Sequence, residues 1–275
     1  MQYWDRRPKA LQLVGRAVES VRQIVTSAPL LLRATIAAYA LVGIGVVHLS
    51  NHFPVSVAQE FDRYSAGQLH SLAYGNVLPL HLLQLVAEFP TAVISSLPCI
   101  IIIRHILLEE IGVRPPPLSI LWPYAGWNFA LEALILVLGQ LQFFSFDAWG
   151  AFLVLTTVGL LLSILFSMVF PGIAIGINYN GVWDRARNGL QHLRGNFWLL
   201  VRTYLIIFIA IMIMTYLPYL PGFLFSNNPL EITPTSWIAI SFDSLIMVTA
   251  SCVTAGVVAW LYAWVAPPRF LENFD

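Results

Sequence analysis

The sequence predicts an all-α polytopic membrane protein, with six transmembrane helices preceded by an N-terminal amphipathic interfacial helix. Three observations predict it. Of 275 residues, 58% are hydrophobic and only 10% charged, where a soluble domain carries about 25% charged. Apolar runs of the roughly 20 residues needed to cross a hydrocarbon core recur six times. Basic residues crowd onto alternate connections between those runs. With 14 basic and 14 acidic residues the chain is neutral, so no global field draws nucleic acid. Together these exclude soluble enzymes, DNA-binding modules and disordered tails.

The chain divides into a cytoplasmic tail with the interfacial helix (1–28), a six-helix transmembrane domain (29–267) and a cytoplasmic C-terminal tail (268–275). In the first part, Leu11, Val14, Val18, Val21 and Val25 recur at three- and four-residue steps, with Lys9, Arg16, Glu19 and Arg22 off that stripe. The pattern predicts a helix along the inner membrane surface; a cytoplasmic coiled-coil seam is the alternative. The N-terminus opens on Asp5, Arg6, Arg7 and Lys9, unlike a cleavable signal peptide, so the first span is expected to direct insertion itself.

The six runs are 29–49, 82–108, 121–143, 149–177, 197–217 and 236–265. Pro90, Pro98 and Pro171 interrupt the second and fourth. Six spans place 13 of the 14 basic residues on one side, leaving Arg63 alone on the other. The positive-inside rule then sets both termini in the cytoplasm. Thirteen arginines against one lysine suggest a bacterial source, hence the inner membrane. Outside the spans, 51–77 mixes polar and apolar residues, and Val57, Phe61, Tyr64, Gln68 and Leu69 suggest a short outer-surface helix. The Arg114–Pro117 run is a stiff break before span three. No connection is long enough for a separate soluble domain.

Charges inside a span carry a functional hypothesis by default. Glu88, Glu132, Arg202 and Asp243 form the candidate intramembrane polar site, with Asn128, Gln140, Gln142, Ser163 and Ser167 adding polarity. The plainer reading is ion pairs and hydrogen bonds that lock helices together, with Glu132 expected to meet Arg202; the sharper one is an ion or proton path. Gly172 and Gly176 have the GxxxG spacing of close helix contacts. His48, His52 and His81 lie at similar outer depth, which admits a bis-histidine haem. Cys99 and Cys252 sit in apolar runs without a CxxC spacing. There is no HExxH, GxSxG or Walker A motif, and Lys9, the one lysine, lies in the tail. No enzyme activity, metal or cofactor is therefore expected.

The connection 178–196 carries Trp183, Arg185, Arg187 and Arg194, and Trp198 follows it. These five are expected at the lipid headgroups. The order Phe170-Pro-Gly-Ile-Ala-Ile, a basic amphipathic stretch, then Arg194-Gly-Asn-Phe-Trp198 resembles the six-span bacterial inner-membrane family of the glycerophosphoryl diester phosphodiesterase membrane domain and YciC-type proteins. The likeness covers about 30 residues closely and otherwise only the span plan. It implies a role in envelope or lipid homeostasis, without hydrolase activity because no catalytic domain is present. Trp127-Asn128-Phe129 also resembles Asn196-Phe197-Trp198 as an aromatic entry to a span, suggesting a paired internal organisation. The leading expectation is a non-enzymatic structural, accessory or scaffold protein, contacting membrane lipids and other membrane subunits. The alternatives are a small-solute or lipid transporter using Glu132 and Asp243, and a haem-bearing electron-transfer subunit.

Overall fold

A computed structural model describes residues 7–50, 74–110, 114–140, 148–177, 179–216 and 237–265. Among them every regular element is a helix: α1 (Ala10–Ser27), α2 (Pro29–Ser50), α3 (Tyr74–Leu108), α4 (Leu118–Gln140), α5 (Ala148–Ser167), α6 (Val169–Ala174), α7 (Val182–Leu193), α8 (Phe197–Tyr216) and α9 (Trp237–Val265). Four segments are long and apolar enough to cross a membrane: Pro29–Val46, Leu85–Leu108, Phe197–Thr215 and Ile240–Val265. Thr157–Ser167 is apolar but shorter within the described residues. The predicted outer helix in 51–77, Arg63, His52, Gln142 and the tail 268–275 lie outside the described residues, as does the side chain of His81.

The helices begin and end where local chemistry demands. Pro29 holds Ala28 in a non-helical conformation (φ −140°, ψ 65°), as a residue before proline prefers. It then opens α2, where proline's missing N–H costs nothing. Inside the apolar spans hydroxyl groups bond back to their own helix. Thr35 donates to Leu31 O, Thr203 to Leu199 O and Ser251 to Met247 O, all at 2.7–2.9 Å. No water competes for these groups in hydrocarbon, so internal pairing is the stable arrangement.

The fourth predicted run is not one helix. It breaks at Met168 into α5 and the short α6, with Pro171 in the first turn of α6, the position where proline is tolerated. Gly176 (φ 80°) ends α6: its N–H bonds Ile173 O and that of Ile177 bonds Gly172 O, both 3.0 Å, the paired pattern of a Schellman cap. This corrects the GxxxG expectation. Gly176 serves as a left-handed cap, and Gly172 makes room for the Tyr179 hydroxyl, which fills the space a Cβ there would need. The turn into α8 has a similar logic. Arg194 (φ −57°, ψ 125°), Gly195 (φ 84°) and the 2.9 Å bond from Asn196 N–H to Leu193 O make a type II turn, which requires a positive φ at its third residue.

α3 and α9 pack together at the centre. On α3, Ile100 to Ile103 are all buried, as are Val257, Val258, Ala259 and Leu261 on α9, because neighbours cover these helices on most sides. α2 packs against both from outside, while α3, α4, α5, α8 and α9 close a ring, each against the next.

α1 docks across α9 and the start of α8. It buries Leu13, Ala17, Ser20, Val21 and Ile24, a face rotated from the stripe expected in the sequence. Leu11 and Val18 of that stripe remain exposed at 72% and 48%. The apolar arc is thus wide enough for two surfaces: one meets the bundle and the other is left open. At the crossing, Gly256 brings the two backbones together: a Cβ there would lie 3.0 Å from Ala17 Cβ and 3.2 Å from Ala17 Cα. Trp260 Nε1 donates to Ser20 Oγ at 3.1 Å, and the Arg16 guanidinium sits 5.1 Å from the Trp260 ring centre.

Candidate functional site: a polar cavity between five helices

The helices α3, α4, α5, α8 and α9, with Phe170 of α6, line a partly open cavity of about 310 Å³. Its polar lining comes from Ser95 and Cys99 (α3), Tyr124, Asn128 and Glu132 (α4), Ser163 and Ser167 (α5), Tyr204 (α8), and Ser251 and Thr254 (α9); the remaining walls are apolar. On α4 the lining runs from Tyr124 to Glu132, about 12 Å of depth at about 1.5 Å per residue. These residues lie in mid-helix, far from either end.

Several polar groups are already engaged. Asn128 Nδ2 donates to Ser95 Oγ at 3.2 Å, and Ser167 donates to Ile164 O at 2.8 Å. The Tyr204 hydroxyl lies near that of Ser167. Cys99 lies near both Cys252 and Tyr124, so the fold brings together two free, buried thiols that are 153 positions apart in sequence. The spacing rule for redox motifs reads only local separations and misses such a pair.

Of the candidate intramembrane residues, only Glu132 lines the cavity, and it keeps its side chain accessible. Glu88, half-buried, receives a 3.2 Å hydrogen bond from Thr91 Oγ1 and lies within electrostatic range of Glu132 and of Tyr39 on α2. Asp243 lies one turn beyond the cavity wall residue Met247, with a buried Oδ1 that has no hydrogen-bond partner. Glu132 and Asp243 are therefore not brought to one site.

Glu132 does not pair with Arg202 either. Arg202 lines a separate groove with Arg7 and Lys9. The expectation assumed that Trp127 and Phe197 mark equivalent entry points. α4 in fact starts at Leu118, so Trp127-Asn128-Phe129 lies well inside the helix, with Trp127 against Phe166 (centroids 5.7 Å apart). Counted from the helix starts, Glu132 lies about 21 Å along α4 and Arg202 about 7.5 Å along α8, at about 1.5 Å per residue. The apparent internal repeat fails for the same reason.

The expected headgroup residues divide into two sets. Trp183 (87%) and Trp198 (69%) are strongly exposed, as are Arg187 and Arg194. Arg185 instead turns inward: its guanidinium lies 5.9 Å from the Tyr179 ring centre, and its buried Nε has no partner. α7 presses Ala186, Gly189 and Leu193 against the bundle, and a Cβ at Gly189 would lie 2.6 Å from Val169 Cγ2. Burial pushes the Tyr179 hydroxyl up to about 12, Arg185 opposing the shift and Asp184 adding to it. Elsewhere on this side, Arg104 forms a two-pronged ion pair with Glu110 and donates to Ala174 O at 3.2 Å, tying the end of α3 to the end of α6.

Among the described residues no three His, Cys, Asp or Glu side chains converge as metal ligands. His48 is exposed on α2, His105 bonds Glu110 O (3.0 Å) and His192 stacks on Tyr262 (5.0 Å). Four helices long and apolar enough to cross a membrane fit the class of multi-pass helical membrane proteins, here with a cavity between the helices that a few polar groups line. No known protein family, curated protein or solved structure matches this chain.

Proposed function

We propose that the chain is a six-span protein of a bacterial inner membrane, with cytoplasmic termini, that binds a small solute or one end of a lipid in the central cavity and carries it. The topology rests on the 13-to-1 sorting of basic residues together with six helical regions at the six apolar runs. The function rests on one observation, the chamber of about 310 Å³ with Glu132, Asn128 and several hydroxyls projecting into apolar walls. That volume is at the low end of ligand pockets, roughly 300–1,000 Å³. An apolar lining with a few polar anchors suits an amphipathic molecule. Lipid handling also agrees with the resemblance to the six-span envelope family. A purely structural or accessory role, the leading expectation from the sequence, needs only dry packing between spans.

The test is ligand retention. Full-length protein purified in mild detergent and extracted for mass spectrometry should carry a bound small molecule or lipid. Ser163→Leu, which fills the chamber, and Glu132→Gln, which removes its charge, should each reduce occupancy at least fivefold. An empty wild-type chamber, or occupancy indifferent to both substitutions, refutes the carrier reading. Stable copurification of a membrane partner would then establish the accessory role.

A further inference from the structure

A second site lies at the α8 end of the molecule, away from the chamber. Arg7, Lys9 and Arg202 converge on a groove of about 740 Å³ between the N-terminal segment and the start of α8. Arg7 Nη2 donates to Gly195 O at 2.6 Å, fixing the segment against the type II turn. Arg7, Lys9 and Arg202 are exposed, and among the described residues none that lines the groove is acidic. Like charges held around one groove repel, and an anion with several acceptor oxygens relieves that repulsion through charge-assisted hydrogen bonds. The positive end of the α8 dipole adds to the field.

The surface below the groove indicates which anion. Trp198, Arg202, Leu205, Ile209 and Ile213 follow at steps of four, three, four and four residues, placing them on one face of α8. Leu205, Ile209 and Ile213 are 46%, 50% and 58% exposed. From Arg202 to Ile213 is about 16 Å at about 1.5 Å per residue, close to half a hydrocarbon core of about 30 Å. A free phosphate would use the cations alone. A phospholipid would use the cations for its headgroup and the apolar strip for an acyl chain, with Trp198 at the boundary where aromatic rings collect.

We propose that this groove binds the phosphate headgroup of an anionic phospholipid of the cytoplasmic leaflet, whose acyl chain lies along the Leu205–Ile209–Ile213 face of α8. The inference rests on the topology proposed above and is independent of the central chamber.

Full-length protein in neutral detergent should be titrated with phosphatidylglycerol, phosphatidylcholine and inorganic phosphate, and bound ligand read by native mass spectrometry. Phosphatidylglycerol should bind at least tenfold more tightly than phosphatidylcholine. The variant R7Q/K9Q/R202Q should lose that preference, whereas R33Q/R187Q, which removes two exposed arginines outside the groove, should keep it. Equal loss in both arginine variants means general surface attraction and overturns the site. Inorganic phosphate bound as tightly as phosphatidylglycerol makes this a free-anion site and overturns the lipid. Should the triple variant fail to fold, an anionic phospholipid with a photoreactive group in its acyl chain decides on the wild-type protein. Labelling should centre on residues 205–213, and labelling elsewhere overturns the proposal.

Discussion

Replacing Gly256 with leucine should release α1 from the bundle without unfolding the bundle. The first added atom would lie 3.0 Å from Ala17 Cβ and 3.2 Å from Ala17 Cα, where carbon atoms rest about 3.5–4.0 Å apart. Ala17 is fully buried, and the clash is with backbone, so no rotamer change relieves it. α1 must shift by about half an ångström or more, and the longer leucine side chain demands a larger displacement. Overpacking of this kind costs about 1–3 kcal/mol. The shift would also strain the hydrogen bond from Trp260 to Ser20, worth about 1 kcal/mol, and the Arg16–Trp260 contact, worth about 0.5–1 kcal/mol. A loss of up to about 2.5–5 kcal/mol, confined to α1, is expected.

Amide hydrogen exchange on the full-length protein in detergent reads this directly. Residues 10–27 should exchange about 30-fold faster or more in the variant, since about 1.4 kcal/mol is a factor of ten, while the core of α3 stays protected. Ala17→Gly should recover part of the protection lost in Gly256→Ala, because the two sites share one contact. Unchanged α1 exchange in Gly256→Leu would refute the docked arrangement. Equal acceleration in α1 and α3 would show that α1 is not a separable element.

Mild oxidation should join Cys99 to Cys252, detected as an intramolecular disulfide by mass spectrometry and abolished by Cys99→Ala; failure to form it would place α3 and α9 differently. Gly189→Leu should destabilise the protein by about 2 kcal/mol through overpacking, because Val169 Cγ2 and backbone atoms of Met168 and Val169 close the space around it, read as a lower Tm beside an unaffected Gly126→Ala, where a Cβ meets nothing within 4 Å. Tyr179 keeps its proton in the folded protein up to about pH 12, whereas an unfolded tyrosine loses it near 10. Its contribution to stability is therefore complete below about pH 10 and falls as pH rises toward about 12. Tyr179→Phe should flatten the decline in that window, and a wild-type tyrosinate absorbance fully developed by pH 10.5 would contradict the burial.

The helical regions were legible because span length and apolar content are one-dimensional quantities. A run of 20 apolar residues reads as a helix wherever its neighbours stand, so the expected runs at α2, α8 and α9 are helical throughout the described residues. What a single chain does not carry is rotation. On α1 the stripe through Leu11 and Val18, expected to face the membrane, is left open, while a second face through Leu13, Ala17 and Ile24 that the sequence pattern does not single out meets the protein. Both are apolar, and an apolar arc of about half the circumference does not say which part meets protein and which is left open. The break in the fourth run was signalled by Pro171, but its role came from Gly176, whose capping geometry requires a backbone conformation that composition does not display.

The chamber illustrates the same limit. Each of its polar residues was visible, and Glu132, Asn128, Ser163 and Ser167 had been singled out, but nothing in the linear order said that five helices would aim them at one space. Depth is the coordinate a membrane sequence encodes, through the distance from each interface. Whether two residues meet also depends on azimuth and on which helices are neighbours. Glu132 and Arg202 failed even on depth, because Trp127 was taken for an interface residue when α4 had already run nine residues from Leu118. Ser95 and Asn128 passed on both: α3 and α4 are packed neighbours, and their side chains meet at 3.2 Å. Arg202 found Arg7 and Lys9 because the segment before α1 lies over the start of α8, a contact across 188 positions of sequence that no span-by-span reading contains. The two sites proposed here both arise from such convergence. Glu132→Gln and Arg202→Gln, which alter two separate sites, should therefore add independently in stability measurements.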